Sequence, residues 1–297
     1  MPGDGVAIRQ KVAAIKQKGE DRLRRLARFV RRPRASIAIA ILGFIVLAAV
    51  TAGWLAPHDP MKANLSLRLE GPSRDYPFGT DWIGRCLLSR VIHGIRLTLI
   101  VGLGTVALGG GVGVGLGLLA GFYGRTLEMI IMRMTDLLLA FPYFLLTIVF
   151  VAVLGPSLVN AVIAISFWTM PHYIRLARAA VLSVKAREFV EAAKALGRPD
   201  FRILIHHVFP NSLAPLIVQS SIFCAQNMLM AASLSFLGLG AQPPSPELGA
   251  MLGTGRTYLR AAPQVVAVPA VGIFLGVLGF NFLGDALRDF LDPRLRS

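Results

Sequence analysis

The amino-acid sequence predicts an all-α fold: a polytopic membrane helix bundle with six transmembrane helices and both termini in the cytoplasm. The composition is the first reason, because 55% of the 297 residues are hydrophobic and only 16% are charged, whereas soluble domains carry roughly 25% charged residues. The second is a set of apolar segments long enough to span a bilayer. The third is an uneven distribution of Lys and Arg among the loops that join these segments.

Six apolar segments predict the helices. A spanning helix needs roughly 17–25 mostly apolar residues, and each segment approaches that length. The turn signal Gly155-Pro156 separates the third segment from the fourth, which favours six helices over five, and Pro142 predicts a kink within the third. The segments are 36–56, 97–122, 137–154, 158–174, 212–236 and 265–286.

Lys and Arg collect in alternate loops. With the N-terminus inside, the inner segments hold 23 of the 31 basic residues and the outer ones hold eight, a bias that favours cytoplasmic termini. The net charge of +15 therefore reflects topology, since no soluble stretch is long enough to build a nucleic-acid-binding face. The inner segments are 1–35, 123–136, 175–211 and 287–297, and the outer ones are 57–96 and 237–264.

The chain divides into four parts. Residues 1–35 are basic with apolar residues at near-helical spacing, which fits either an amphipathic helix on an anionic membrane face or a solvated tail. Residues 36–96 contain the first helix and an extracytoplasmic loop, residues 97–290 form the membrane core, and residues 291–297 are a cytoplasmic tail. The second apolar segment carries nine glycines from Gly102 to Gly121, which predicts a helix packed closely inside the bundle.

The loop 175–211 is long enough to require secondary structure of its own. The first helix of the loop continues from the preceding span, and a second covers 188–196. Gly197 is a C-cap candidate and Pro199 prevents continuation, while a third helix begins with Asp200 as N-cap. This helical hairpin suits insertion into a groove on a partner, although an ordinary connector explains the same pattern.

A motif in this loop resembles a known family. Glu191-Ala192-Ala193, Gly197 and Pro210 are similar to the EAA motif of bacterial ABC-importer permeases, although Phe209 replaces the usual Leu. The resemblance implies a type I ABC-importer permease fold in which the loop docks in a cleft of a separate ATPase. It implies that Glu191 caps or ion-pairs to hold the hairpin and that Gly197 makes the sharp turn. The implied docking residues are Glu188, Glu191, Ala192, Ala193, Gly197, Arg198 and Pro210.

Three further stretches narrow the resemblance to the dipeptide, oligopeptide and nickel permease family, on the side of its C-type subunit. They are Pro77-Phe78-Gly79-Thr80-Asp81 with Gly84-Arg85 and Leu88-Ser89-Arg90, Leu234 to Gly249, and Asn281 to Leu295. Cys86, Ala231 and Leu248 depart from the family pattern, where Asp, Glu and Trp are usual.

The resemblance also implies partners. They are a homologous permease in a heterodimer, two ATP-binding subunits, an extracytoplasmic substrate-binding protein and membrane lipid, with no nucleic acid. The sequence contains no Gly-x-x-x-x-Gly-Lys-Ser/Thr, so ATP and Mg would be used by the partner ATPases. We expect a multi-pass transporter subunit of the inner (cytoplasmic) membrane, with no catalytic residues, metal site or bound cofactor. A secondary transporter and a membrane scaffold without an ATPase partner are the alternatives, and the scarcity of carboxylates in the apolar segments disfavours the former.

Polar residues along the fifth segment suggest a translocation path. Polar side chains in lipid usually face a neighbouring helix or a wet pathway. The candidate path residues are Gln219, Gln226, Asn227 and Ser233. Hydrogen bonding between helices explains the same residues without a path.

Overall fold

A computed structural model describes residues 29–30 and 32–291. Within these residues the regular secondary structure is helical, apart from an isolated β-bridge between Thr80 and Cys86. Most of the basic segment 1–35 and nearly all of the tail 291–297 lie outside the described residues, so the amphipathic helix stays a prediction.

The helices of eight residues or more are numbered in chain order, and a four-residue helix, Ala52–Leu55, follows the first of them. They are α1 Pro33–Val50, α2 Leu87–Tyr123, α3 Arg125–Leu139, α4 Tyr143–Leu154, α5 Leu158–Lys185, α6 Glu188–Ala195, α7 Asp200–Phe236, α8 Leu248–Gly255 and α9 Gln264–Leu291. Wide π-helical turns interrupt α2 at Val106–Gly110 and α7 at Leu204–Val208. The largest buried cluster joins α1, α2, α7, α8 and α9 and includes the buried side chains of Met228 and Leu248.

Helix α2 starts ten residues before the predicted segment and packs tightly on α5. A Cβ added at Gly109, Gly113 or Gly117 would lie 2.6 Å from a carbonyl oxygen of α5. Only glycine permits the two backbones to approach this closely, which is how small residues join helices in lipid. The prediction that this helix is packed inside the bundle is therefore confirmed.

The third predicted segment, 137–154, is not one continuous helix, and the break predicted at Pro142 is confirmed. Residues 125–139 form the separate helix α3, where the sequence predicted a loop, and α4 begins only at Tyr143. The two helices bend by 90° at the break, because Pro142 lacks the N–H that would continue the hydrogen-bond ladder. Ion pairs attach α3 to α5, with Arg175 Nη2 donating to Asp136 Oδ1 at 2.7 Å and Arg178 pairing with Glu128.

Among the described helices, α1, α2, α7 and α9 are each long and apolar enough to cross a membrane, and the bent pair of α3 and α4 gives a fifth candidate. Helix α5 has 28 residues but carries Asn160, Ser166 and other polar side chains. The composition of α5 therefore leaves it outside that set, and six spans stay a prediction.

The segment between α1 and α2 folds around a buried charge cluster. Asp81 Oδ2 accepts a hydrogen bond from Arg85 Nε at 2.7 Å and lies 3.5 Å from Arg90 Nε. Arg90 Nη1 also donates to the carbonyl of Pro60 at 3.0 Å. All three charged side chains are less than a tenth exposed. Because an unpaired buried charge is costly, this cluster fixes the segment at the end of the bundle opposite α6.

Candidate functional site

A helical hairpin projects from one end of the bundle, formed by α6 and the first turns of α7. Helix α6 ends at Ala195, and Gly197 follows with φ +71°. The N–H of Gly197 donates to the carbonyl of Lys194 at 2.9 Å, and the N–H of Arg198 donates to that of Ala193 at 3.3 Å. This pair of bonds is a Schellman motif, which requires the left-handed conformation that glycine adopts without strain. The sharp turn expected at Gly197 is confirmed.

The hairpin has a buried base and an exposed tip. Val190 and Ala193 pack with Phe122 of α2 and Val181 of α5 in one apolar cluster. On the other side, Glu188, Glu191, Ala192, Gly197 and Arg198 are exposed. Leu196 is 80% exposed and Phe201 66%. A rigid base with exposed apolar side chains at the tip is a shape that fits a groove on another protein.

Two contacts within the hairpin differ from expectation. Asp200 is the first helical residue of α7, and Pro199 occupies the N-cap position, since the carbonyl of Pro199 already accepts helical bonds from Arg202 and Ile203. Glu191 makes no ion pair within the part of the chain that the structure describes, because its side chain lies on the exposed face of α6.

Side-chain contacts join the hairpin to the helices that carry it. Arg198 Nη1 lies 3.2 Å from His207 Nε2, which joins the turn to α7. Pro210 is exposed on α7, directly after the wide turn. The ammonium groups of Lys185 and Lys194 lie 5.5 Å and 5.8 Å from the centre of the Phe122 ring. Such cation–π contacts contribute about 0.5–1 kcal/mol each at exposed sites. Sequence reasoning missed them because Phe122 is distant in the chain.

The second candidate site is a cavity of about 540 Å³ between α4, α5 and α7. Three of the candidate path residues line it: Gln219, Gln226 and Ser233. They are seven residues apart, so they share one face of α7. The other lining residues are Tyr143, Phe144, Trp168, His172, Phe223, Leu229 and Met230.

Asn227 lies elsewhere, in the interior of the bundle. It is fully buried, and its Nδ2 donates to the hydroxyls of Thr105 and Thr169 at 2.9 Å and 3.1 Å. Asn227 therefore links α2, α5 and α7, which is the interhelical arrangement that the sequence left open. Its assignment to a path has no support from this geometry.

The cavity wall is aromatic. The Trp168 ring contacts three others, and its centre lies 5.1 Å from the ring centre of Tyr143, 4.9 Å from that of His172 and 6.1 Å from that of Phe223. Sequence reasoning did not single out these residues as a site. The spacing of Trp168 and His172, one turn apart on α5, was the available signal, but only the fold shows that α4 and α7 complete the wall.

The described lining residues carry neither a carboxylate nor a Lys or Arg. Across residues 29–30 and 32–291, no group of three His, Cys, Asp or Glu side chains could hold a metal ion. What the cavity offers a solute is hydrogen bonds and apolar contact, which is suited to reversible binding.

Glu247 is, like Asp81, a buried carboxylate at the end of the bundle opposite the hairpin. Glu247 is 2% exposed and caps α8, with its Oε2 accepting from the N–H of Ala250 at 2.8 Å. Burial raises the pKa of the Glu247 carboxyl, against the opposing effect of its hydrogen bonds.

The three residues that depart from the family pattern are also buried. They are Cys86, Ala231 and Leu248.

A bundle with several membrane-crossing helices, a projecting hairpin and a neutral cavity defines the membrane subunit of a transport system. Residues 113–297 match the family described as "Binding-protein-dependent transport system inner membrane component". The chain belongs to this family, and it is a multi-pass protein of the inner membrane. Residues 23–72 match "N-terminal TM domain of oligopeptide transport permease C". The family that the sequence motifs predicted is confirmed.

Relatives match over most of the chain. The dipeptide transport system permease protein DppC of Alkalihalophilus pseudofirmus is 47% identical over 89% of this chain and 86% of its own length. The di/tripeptide transport system permease protein DppC of Pseudomonas aeruginosa is 45% identical, over 85% and 86%. The glutathione transport system permease protein GsiD of Pectobacterium atrosepticum is 42% identical, over 89% of each.

A solved structure shares the fold. The inward-facing MetNI methionine ABC transporter has a chain with a TM-score of 0.56 and 19% identity, which covers 69% of this chain and 97% of that one. At this identity the likeness concerns the fold alone, and it agrees with the type I importer permease fold predicted from the sequence.

Proposed function

We propose that this chain is the transmembrane permease subunit of an ATP-driven importer of peptides or related small solutes. The relatives named for dipeptide, di/tripeptide and glutathione transport support this cargo class. The observation that carries the coupling assignment is the hairpin, whose apolar tip is exposed while its base is buried against α2 and α5. The hairpin from 188 to 210 docks in the cleft of an ATPase subunit and passes its movement to the bundle.

The topology that fits this role has six spans: α1, α2, the bent pair α3 and α4, α5, α7 and α9. Both termini then lie on the same side as the hairpin. That side carries 23 of the 31 Lys and Arg, which makes it the cytoplasmic side. The hairpin therefore faces the compartment that supplies ATP.

The complete importer contains a homologous permease, two ATP-binding subunits and an extracytoplasmic substrate-binding protein. ATP and Mg are used by the ATPase subunits, and this chain binds no cofactor. Its own part is to line the path with Gln219, Gln226 and Ser233 and to move as a body when the ATPases close. No covalent step falls to this chain.

Co-purification tests the docking. Leu196→Glu places a charge on the exposed tip and should abolish recovery of the ATPase subunits with the permease. Leu65→Glu is the matched control, because Leu65 is 71% exposed but lies in the segment between α1 and α2. Equal ATPase recovery with both variants would refute docking through the hairpin.

Energy dependence separates the alternatives. A secondary transporter would continue uptake in proteoliposomes without ATP when an ion gradient is imposed, and a scaffold would support no uptake. The proposed importer takes up peptide only with ATP, the ATPases and the binding protein present.

A further inference from the structure

The cavity between α4, α5 and α7 contains polar groups that the protein leaves without partners. His172 Nε2 is buried and makes no hydrogen bond. The side-chain amides of the half-buried Gln219 and the exposed Gln226 line the same cavity and have no hydrogen-bond partner within the described residues. Of these three residues, His172 has the buried unpaired atom that needs an explanation, because buried polar atoms are nearly always paired.

His172 is held in place by apolar contacts alone. Its ring lies 4.9 Å from Trp168 and 5.7 Å from Phe223, tilted or edge-on to both. Aromatic neighbours in this arrangement fix the imidazole plane without using its nitrogen. The ring therefore lines the cavity in a fixed orientation while the hydrogen bond of its buried Nε2 atom remains unmade.

The remaining wall determines which ligand fits. Neutral amides and one imidazole can each donate or accept a hydrogen bond, and the rings of Tyr143, Trp168 and Phe223 offer apolar contact. No charged side chain of the described residues lines the cavity, so a terminal ammonium or carboxylate of a ligand has no counter-ion here. A peptide group flanked by an apolar side chain satisfies all of these features.

We propose that His172, with Gln219 and Gln226, forms a cargo-binding subsite that recognises the uncharged peptide group of the solute and the side chain beside it. The proposal rests on the import function above and adds the part of the cargo that this chain contacts. The terminal charges of the cargo are then bound outside this chain's cavity.

The test is transport by the complete importer in proteoliposomes, with radiolabelled alanyl-leucine as cargo and saturating loaded binding protein. The measured quantity is peptide imported per ATP hydrolysed. His172→Phe and Gln226→Leu should each lower that ratio about fivefold, the factor expected for one lost hydrogen bond. His172→Gln keeps a hydrogen-bond donor and an acceptor at this position and should retain most of the wild-type ratio of peptide imported to ATP hydrolysed. A variant that merely destabilised the protein would lower import and ATP hydrolysis together, leaving the ratio unchanged.

His93→Gln is the matched control, because His93 on α2 already bonds the carbonyl of Ser89 at 2.9 Å and does not line the cavity. Unchanged ratios in His172→Phe and Gln226→Leu, with normal import by the wild-type complex, would overturn the subsite. Absence of peptide import by the wild-type complex would instead overturn the proposed function.

Discussion

Replacing Gly197 by alanine should uncouple the importer without unfolding it. Gly197 has φ +71°, and a Cβ added there would meet no atom within 4 Å. The cost is therefore backbone strain alone, about 1–2 kcal/mol for a non-glycine residue in the left-handed region. Global stability is typically about 5–15 kcal/mol, so Gly197→Ala should insert and purify normally. The same strain shifts the equilibrium between the formed and the opened turn by a factor of roughly 5–30.

The assay compares peptide imported per ATP hydrolysed across matched variants. Gly238 provides the control because it ends α7 with the same Schellman bonds, has φ +80° and also has nothing within 4 Å of an added Cβ. Gly238→Ala carries the same strain at the opposite end of the bundle and should leave the import ratio unchanged. Gly197→Asn should retain most of the wild-type import ratio, because asparagine tolerates the left-handed region. Equal losses in Gly197→Ala and Gly238→Ala, or no loss in Gly197→Ala, would refute the reasoning.

Two further predictions concern buried polar groups. Asn227→Leu removes the amide that joins three helices and should cost about 1 kcal/mol of stability, seen as a lower melting temperature in detergent, whereas Gln226→Leu at the adjacent exposed position should not. Glu247→Gln should remove part of the pH dependence of thermal stability, because burial raises the pKa of this carboxyl above 4.5 in the folded state.

The direction of the Glu247 effect follows from proton linkage. Between pH 4.5 and the raised folded pKa, the folded state holds a proton that the unfolded state has released, so stability falls as pH rises through that window and is constant above it. Wild type should therefore lose more stability than Glu247→Gln on going from pH 4.5 to 7.5. The same dependence of melting temperature on pH in wild type and Glu247→Gln would contradict this account. Equal melting temperatures of Asn227→Leu and Gln226→Leu would contradict the role given to Asn227.

The hairpin was predictable because its signals are local. Gly197 and Pro199 end one helix and delay the next whatever the rest of the chain does, and the boundaries of α6 follow within a residue. The family motifs and the long apolar segments were predictable for the same reason. Helix α3 was missed because its polar face lowers its hydropathy, so that its sequence is typical of a loop.

The cavity was only half predictable. Gln219, Gln226 and Ser233 stand out as polar residues in an apolar segment, but Asn227 does so equally and faces inward. Which polar residue bonds a neighbour and which faces open space depends on the rotation of α7 against α2 and α5. The one-turn spacing of Trp168 and His172 was too weak a signal to predict a site, since aromatic residues are ordinary in a membrane helix. The angle of the bend at Pro142 likewise depends on the neighbours against which α3 and α4 pack.

The wide turn at Leu204–Val208 has a geometric consequence for the site. A π-turn adds one residue to the helix, and each residue of an α-helix rotates the chain by about 100°. All side chains beyond the turn are therefore rotated by that angle relative to the hairpin. Without the extra residue, the Gln219, Gln226 and Ser233 line would point away from the cavity while the hairpin kept its orientation. This one turn sets the angle about the helix axis between the part of α7 that belongs to the hairpin and the part that lines the cavity.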